Sequence, residues 1–152
     1  MRTQTSLGRR LRGQRGQALL ETALTLPIVL VLSISIFEFG RALQVWQLLT
    51  NAAREGARVA VLPGATEDGV KTRVFQYMEA GGLENRDLDQ ISLAATEIDM
   101  GDGPVGASQV VVAYPFSFMV LNPVVQLIAP GSEVGAPITM TASALMRNES
   151  PF

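Results

Sequence analysis

Residues 17–37 read QALLETALTLPIVLVLSISIF, and this stretch decides the fold. Its single charge is Glu21. At about 1.5 Å of rise per residue, a helix of this length reaches about 31 Å, which matches a hydrocarbon core near 30 Å. Pro27 would break a helix in water. Inside a membrane the freed backbone can be re-satisfied locally, so the proline reads as a kink within the span. Ser33 and Ser35 can return their hydroxyls to the carbonyl one turn earlier.

Upstream of the run the charge is one-sided. Residues 1–16 hold Arg2, Arg9, Arg10, Arg12 and Arg15 and no acid, a charge of +5. The other 7 of the 12 basic residues stand against all 14 acidic ones, leaving −7 for the rest of the chain. A basic arm beside an acidic body could bind nucleic acid. Here the arginines end where the apolar run begins, which points instead to a topogenic signal. Only Arg41, Arg54 and Arg58 follow soon after the run, with Glu38 and Glu55 among them. Positive residues stay inside, so the sequence predicts a cytoplasmic N-terminus and an exported C-terminal body across an inner membrane. An ordinary cleaved signal has a shorter apolar run and a small-residue cleavage site. This run is longer, carries Glu21 early and leads into FEFGRAL. Arg9-Arg10 stands several residues ahead of the run, too far for a twin-arginine signal.

Glu21 is costly wherever it meets lipid, and a carboxyl in such a place is by default a functional hypothesis. Near the cytoplasmic end it could simply snorkel to the interface. Its neighbourhood, RGQALLETALTLP, places Gly16 directly before an apolar stretch whose fifth residue is Glu21. That order resembles the site cut by prepilin peptidases. Cleavage after Gly16 would create an ammonium at Gln17, about one turn from the Glu21 carboxylate. In an assembly, Glu21 of one subunit could pair with the terminal ammonium of a neighbour. A misplaced subunit would then leave a charge unpaired at low dielectric, so the pair would set axial register.

Downstream, helical spacing continues through Phe39, Leu43, Trp46, Leu49, Ala53, Ala57 and Ala60, and Pro63-Gly64 stops it. The spacing predicts one helix from Gln17 to Val61, with Trp46 packed under the exported part. Residues 66–80 read as a second helix, with Thr66 as N-cap, Glu67 and Asp68 in the first turn, and Gly81-Gly82 at the end. Val70, Val74, Phe75, Tyr77 and Met78 form its apolar stripe. Beyond residue 86 the period moves towards two. Residues 90–99 read as a strand and 101–106 as a turn cluster. Residues 108–116 form a strand with Val110, Val112, Tyr114 and Phe116 on one face. Residues 137–147 alternate Ile138, Met140, Ala142, Ala144 and Met146 against Thr139, Thr141, Ser143, Leu145 and Arg147. The first two strands form a hairpin, and the third joins their sheet. Residues 116–130 are too short and too interrupted by proline for a second span. They read as an apolar loop or short helix, serving either as a partner surface or as a cover for the sheet.

The fold class is therefore α+β: a long N-terminal membrane-spanning helix, a second short helix, and a small antiparallel sheet of about three strands packed on the helix. The domain reading is a basic leader over 1–16, a transmembrane helix over 17–38, and an exported domain over 39–152. That last part comprises the helix continuation 39–61, the helix 66–80 and the sheet 90–147. With no cysteine and no histidine among 152 residues, thiolate and imidazole chemistry, disulfides and the usual zinc sites are excluded. DMGDG, residues 99–103, loosely resembles a calcium loop but lacks its remaining ligands. No phosphate-binding glycine motif occurs. The chain is read as a non-enzyme with no cofactor, no metal and no small-molecule substrate. Partnership with nucleic acid is disfavoured.

Two stretches carry a family resemblance: GQALLETALTLPIVLVLSISIFEFGRAL with QLLTNAAREGARVAV, and QVVVAYPFSF followed by ITMTASALMRNE. Together they resemble the TadE-like family of the Tad/Flp pilus system. The first covers residues 15–61 and the second residues 108–149. One departure stands out. The residue after the glutamate is commonly tyrosine in the major pilins of this system and often phenylalanine in TadE-like proteins, but it is Thr22 here. The resemblance implies a pilin-like fold and a minor pilin or pseudopilin, processed by a prepilin peptidase between Gly16 and Gln17. It implies Glu21 as the register carboxylate and Pro27 as the membrane-helix kink. Partners would be membrane lipid, the peptidase, and other pilins and pilus assembly proteins, with incorporation into an extracellular adhesive pilus as one fate. Two other functions compete with this one: an unprocessed single-pass protein with an exported partner-binding domain, and a membrane-tethered enzyme, for which the scattered acids offer little support.

Overall fold

A computed structural model of the chain describes residues 7–84, 87–99, 101 and 103–148. The order of elements is α1 (Leu7–Ala60), α2 (Glu67–Ala80), a 3-10 turn (Leu88–Gln90), β1 (Ile91–Asp99), β2 (Pro104–Phe116), α3 (Leu121–Ile128) and β3 (Ile138–Arg147). The α+β reading is confirmed: a long apolar helix, a second helix, and a three-stranded antiparallel sheet in the order β1-β2-β3. The chain forms two compact units. One comprises residues 1–39 and 119–134, the other residues 40–118 and 135–152.

Helix α1 starts earlier than the expected Gln17. Arginine, leucine and glutamine propagate helix well, and no proline precedes position 27, so the glycines at 8, 13 and 16 weaken the helix without stopping it. Its end falls at Ala60, one residue before the expected Val61. The chain then turns through Pro63 and Gly64, whose φ of 79° suits a residue without Cβ.

In the second unit, α1 from Gly40 to Ala60 packs with α2 and the sheet around one core. The seam on α1 is made of small residues: Ala42, Ala52, Ala53, Gly56 and Ala57, with Leu49 as the one large side chain fully enclosed. Of the expected stripe, Leu49, Ala53 and Ala57 are buried. Phe39, Leu43 and Trp46 are exposed, and Trp46, which the sequence placed under the domain, keeps 51% of its surface open. The stripe is real as a helical period, but the core reaches α1 through its small side chains, which let other elements approach closely. Gly56 shows how closely: a Cβ there would come nearer than 3.0 Å to Val74 Cγ2 of α2 and within 3.2 Å of Val110 Cγ1 of β2.

Helix α2 follows its sequence signals. The Thr66 hydroxyl accepts the Gly69 N–H at 3.2 Å, Glu67 and Asp68 occupy the first turn, and Val70, Val74 and Met78 face the core. Gly82, at φ 77°, carries the chain out. Strand β2 buries Val110, Val112, Tyr114 and Phe116 on one face, as the alternation predicts, and pairs with both neighbours. It begins at Pro104, so Pro104, Val105 and Gly106 belong to the strand and not to the turn. Proline fits there as the first strand residue. The hairpin turn is carried by Gly101 and Gly103, both at positive φ. In β3 the Thr139, Thr141, Ser143, Leu145 and Arg147 side is exposed and Ala142 is buried, but Ile138 at the strand's start remains half exposed. Residues 116–130, open between loop and short helix in the sequence, contain α3. Pro123 sits in its first turn, where the missing N–H has no intrahelical partner to lose.

Candidate functional site

The site singled out by sequence lies along α1. Gly16, Gln17, Glu21 and Pro27 are all helical and exposed. Gly16–Ala60 contains an apolar stretch long enough to cross a membrane, and none of that stretch is buried within the protein. Leu19, Leu20, Leu24, Ile28, Leu32, Ile36 and Phe37 point outward all round the helix, as a span bathed in lipid requires. The hydroxyls in this run are satisfied internally. Thr22 donates to Ala18 O at 2.9 Å, Thr25 to Glu21 O at 2.9 Å, Ser33 to Val29 O at 2.8 Å and Ser35 to Val31 O at 2.7 Å. This confirms the return bonds expected of Ser33 and Ser35. It also gives Thr22, the departure from the aromatic pattern, a way to sit in an apolar surface without an orphaned donor. The Glu21 carboxylate meets no partner among the described residues.

At the other end of the run the sequence reading missed a residue. Glu38 is fully buried between two outward phenylalanines, Phe37 and Phe39. Its Oε1 accepts the backbone N–H of Val120 at 2.7 Å. That bond ties the segment before α3 to the first residue beyond the apolar run. The available signal was the FEFG sequence itself: a glutamate between two phenylalanines implies that glutamate and phenylalanines take different faces. Its partner, 82 residues away, was not readable.

The AAREGAR motif, residues 52–58, becomes legible as a packing and clamping device. Ala52, Ala53, Gly56 and Ala57 are its buried small face. Glu55 looks the other way and receives two guanidinium groups. Arg58 donates through Nε at 3.1 Å and Nη2 at 2.9 Å, and Arg73 of α2 through Nε at 3.0 Å and Nη2 at 2.8 Å. These bonds, from Arg58 first and Arg73 next, lower the Glu55 carboxyl from an ordinary 4.5 to about 2. About four turns earlier on α1, Arg41 hydrogen-bonds the Ser117 carbonyl and stacks its guanidinium 4.3 Å from the centre of the Phe116 ring. These contacts fasten α1 to α2 and β2.

Asp99, considered as a cation ligand, instead accepts the Gly101 N–H at 2.9 Å and closes its own turn. Asp102, the other acid of that motif, lies outside the described residues, as do Arg2 of the leader and Glu149 at the end of the second resemblance.

No curated protein and no solved structure matches this chain. A family model described as TadE-like protein matches residues 16–58. The match opens on Gly16 and closes on Arg58, taking in the apolar run, the Glu38 exit and the whole small-residue clamp. Over this segment the chain is similar to the TadE-like family.

Proposed function

We propose that this protein is a minor pilin or pseudopilin of a Tad-type pilus, acting in pilus assembly or initiation as a structural part and not as a catalyst. The family match, which begins at Gly16, implies association with this pilus system. The single observation that carries the finer reading is an apolar helical stretch with no buried residue that bears, at its fifth position after Gly16, a carboxylate without a partner among the described residues. Such a stretch is suited to lipid first and to other helices afterwards.

In this reading the chain is held in the inner membrane with residues 1–16 inside and residues 39–152 exported. A prepilin peptidase cuts between Gly16 and Gln17, and Glu21 then pairs with the Gln17 ammonium of a neighbouring pilin. The cut falls inside α1, so the peptidase must first unwind that turn. Glycine at 16, with glycine at 13, lowers the cost of doing so by about 1 kcal/mol per residue relative to alanine.

The test is the N-terminal sequence and intact mass of the protein from membranes of a strain with an active prepilin peptidase. The expected chain begins at Gln17. Gly16→Leu should retain the leader, since the bulkier side chain blocks the cut. Wild-type protein that still begins with residues 1–16 attached would refute processing and leave the unprocessed, anchored module as the reading.

A further inference from the structure

Residues 117–132, SFMVLNPVVQLIAPGS, hold no charge, and the next charged residue is Glu133. Part of this stretch forms α3, and the way it distributes polarity is the reverse of a helix facing water. Leu127 is 85% exposed, the most open large apolar side chain among the described residues, and Met119, Ile128 and Val134 are open as well. Pro123 and Leu127, four residues apart on α3, share one exposed face, and Met119 is open just before the helix. The polar groups turn inward on the segment itself. Gln126 Nε2 donates to the Ser132 carbonyl at 2.6 Å, its Oε1 accepts the Gly131 N–H at 3.0 Å, and the Ser132 hydroxyl accepts the Val134 N–H at 3.2 Å. The Ala129 N–H closes the helix on Val125 O at 2.8 Å. The polarity of Gln126 and Ser132 is thus consumed locally while Leu127 and Ile128 are presented outward.

The position of this segment says what it meets. Residues 119–134 belong to the same compact unit as residues 1–39. Glu38 holds the Val120 N–H at 2.7 Å, and Glu38 directly follows the apolar run that ends at Phe37. We propose that α3 and its flanking turns lie on the outer membrane–water interface beside the exit of α1, with Met119, Leu127 and Ile128 in the acyl boundary. The inference rests on reading residues 17–37 as a membrane span. The lipid-facing surface of α1 then continues sideways onto α3. Interfacial helices bury their apolar face about 5–10 Å into this zone. Many also use lysine and arginine to bind anionic lipid. This segment has neither, so its contact is apolar and indifferent to lipid charge and to salt. Glu38 acts here as a positioning residue: its carboxylate fixes the start of α3 at the level where the span ends.

The chain has no cysteine, so single nitroxide labels can be placed in the full-length protein without a background label. Val29→Cys, Leu127→Cys and Thr141→Cys would be labelled and the proteins reconstituted in phosphatidylethanolamine–phosphatidylglycerol vesicles. Collision of each label with oxygen and with a water-soluble nickel chelate would then be measured. Leu127 and Thr141 are both surface positions, so neither label disturbs the core. The expected result is an oxygen-to-nickel ratio at 127 several-fold above that at 141, approaching the value at 29 and unchanged by high salt or by omitting phosphatidylglycerol. If 29 is lipid-exposed while 127 matches 141, α3 sits in water and the proposal falls with the anchor intact. A label at 127 shielded from both reagents means a protein covers this face, which also overturns it. If 29 itself collides freely with nickel, the span reading fails, and the inference fails with it.

Discussion

Replacing Gly56 with alanine adds one methyl group at the point where α1, α2 and β2 meet. That methyl would lie closer than 3.0 Å to Val74 Cγ2 and 3.2 Å from Val110 Cγ1. Both valines are fully buried. Valine is stiff at χ1, so neither can swing away as the end of a long side chain would. Overpacking of this kind costs about 1–3 kcal/mol. Against it stands the gain of alanine over glycine within a helix, about 1 kcal/mol. With two stiff, enclosed neighbours the cost should fall in the upper part of that range, about 2–3 kcal/mol, for a net loss of about 1–2 kcal/mol. For a domain of about 100 residues this lowers Tm by roughly 4–16 °C. Differential scanning calorimetry of the full-length protein in mild detergent would read the transition of the unit that contains the sheet. Combining Gly56→Ala with Val74→Ala should be less damaging than the sum of the two single changes, because the second removes the atom the first collides with. A Tm that is unchanged or raised in Gly56→Ala would refute the close approach, and additive losses in the double variant would refute Val74 as its cause.

Further expectations concern the charges and caps. The Glu55 carboxyl is held at about 2 against an ordinary 4.5, so its contribution is full above the unfolded value and is lost as pH falls towards the folded one. Stability of wild type relative to Glu55→Gln, measured by chemical unfolding at several pH values, should shrink from about pH 5 downward; a difference independent of pH would contradict the clamp. Glu38→Ala removes the carboxylate acceptor of the Val120 N–H, at about 1–3 kcal/mol. Hydrogen exchange at Val120 should accelerate in that variant and stay near wild type in Glu38→Gln, which keeps an acceptor oxygen. Thr66→Ala removes the cap on Gly69 and should cost about 1 kcal/mol, again by chemical unfolding.

What could be read from sequence follows the range of the signal. The apolar run, the α2 caps and the alternation of Val110, Val112, Tyr114 and Phe116 are short-range patterns, and each maps directly onto the structure. The errors share a different origin. Phe39, Leu43 and Trp46 obey the helical period but stay open, because periodicity gives a face and does not say how far along the helix a partner extends. The start of β2 at Pro104 was masked by a glycine-rich turn whose last residues are already paired with β1. Glu38 binds a backbone group on a distant segment, and only the folded chain brings the two together. The clamp is intermediate. Arg58, three residues on, was available to Glu55 by spacing alone, whereas Arg73 needed the α1–α2 pairing to be known.

The two glutamates that bracket the apolar run frame the proposed assembly step. Both sit where a carboxylate is costly, and the fold treats them oppositely. Glu38 is enclosed and receives a donor from its own chain at 2.7 Å. Its position is settled within one molecule, and removing it should act on the local structure. Glu21 is exposed on a helix with no partner among the described residues. Its hydroxyl neighbours Thr22 and Thr25 are already committed to backbone carbonyls. The proposed cleavage would supply a partner for Glu21: the ammonium at Gln17 of its own chain, or that of an adjacent subunit. A group that the monomer leaves unpaired can discriminate between correct and incorrect neighbours, because only the correct stagger supplies its partner. Glu21→Ala should accordingly leave the Tm of the sheet-containing unit unchanged while lowering the amount of protein recovered in sheared pili. If the variant assembles as well as wild type and only the monomer is destabilised, Glu21 is an interfacial residue of the anchor and the register role is refuted.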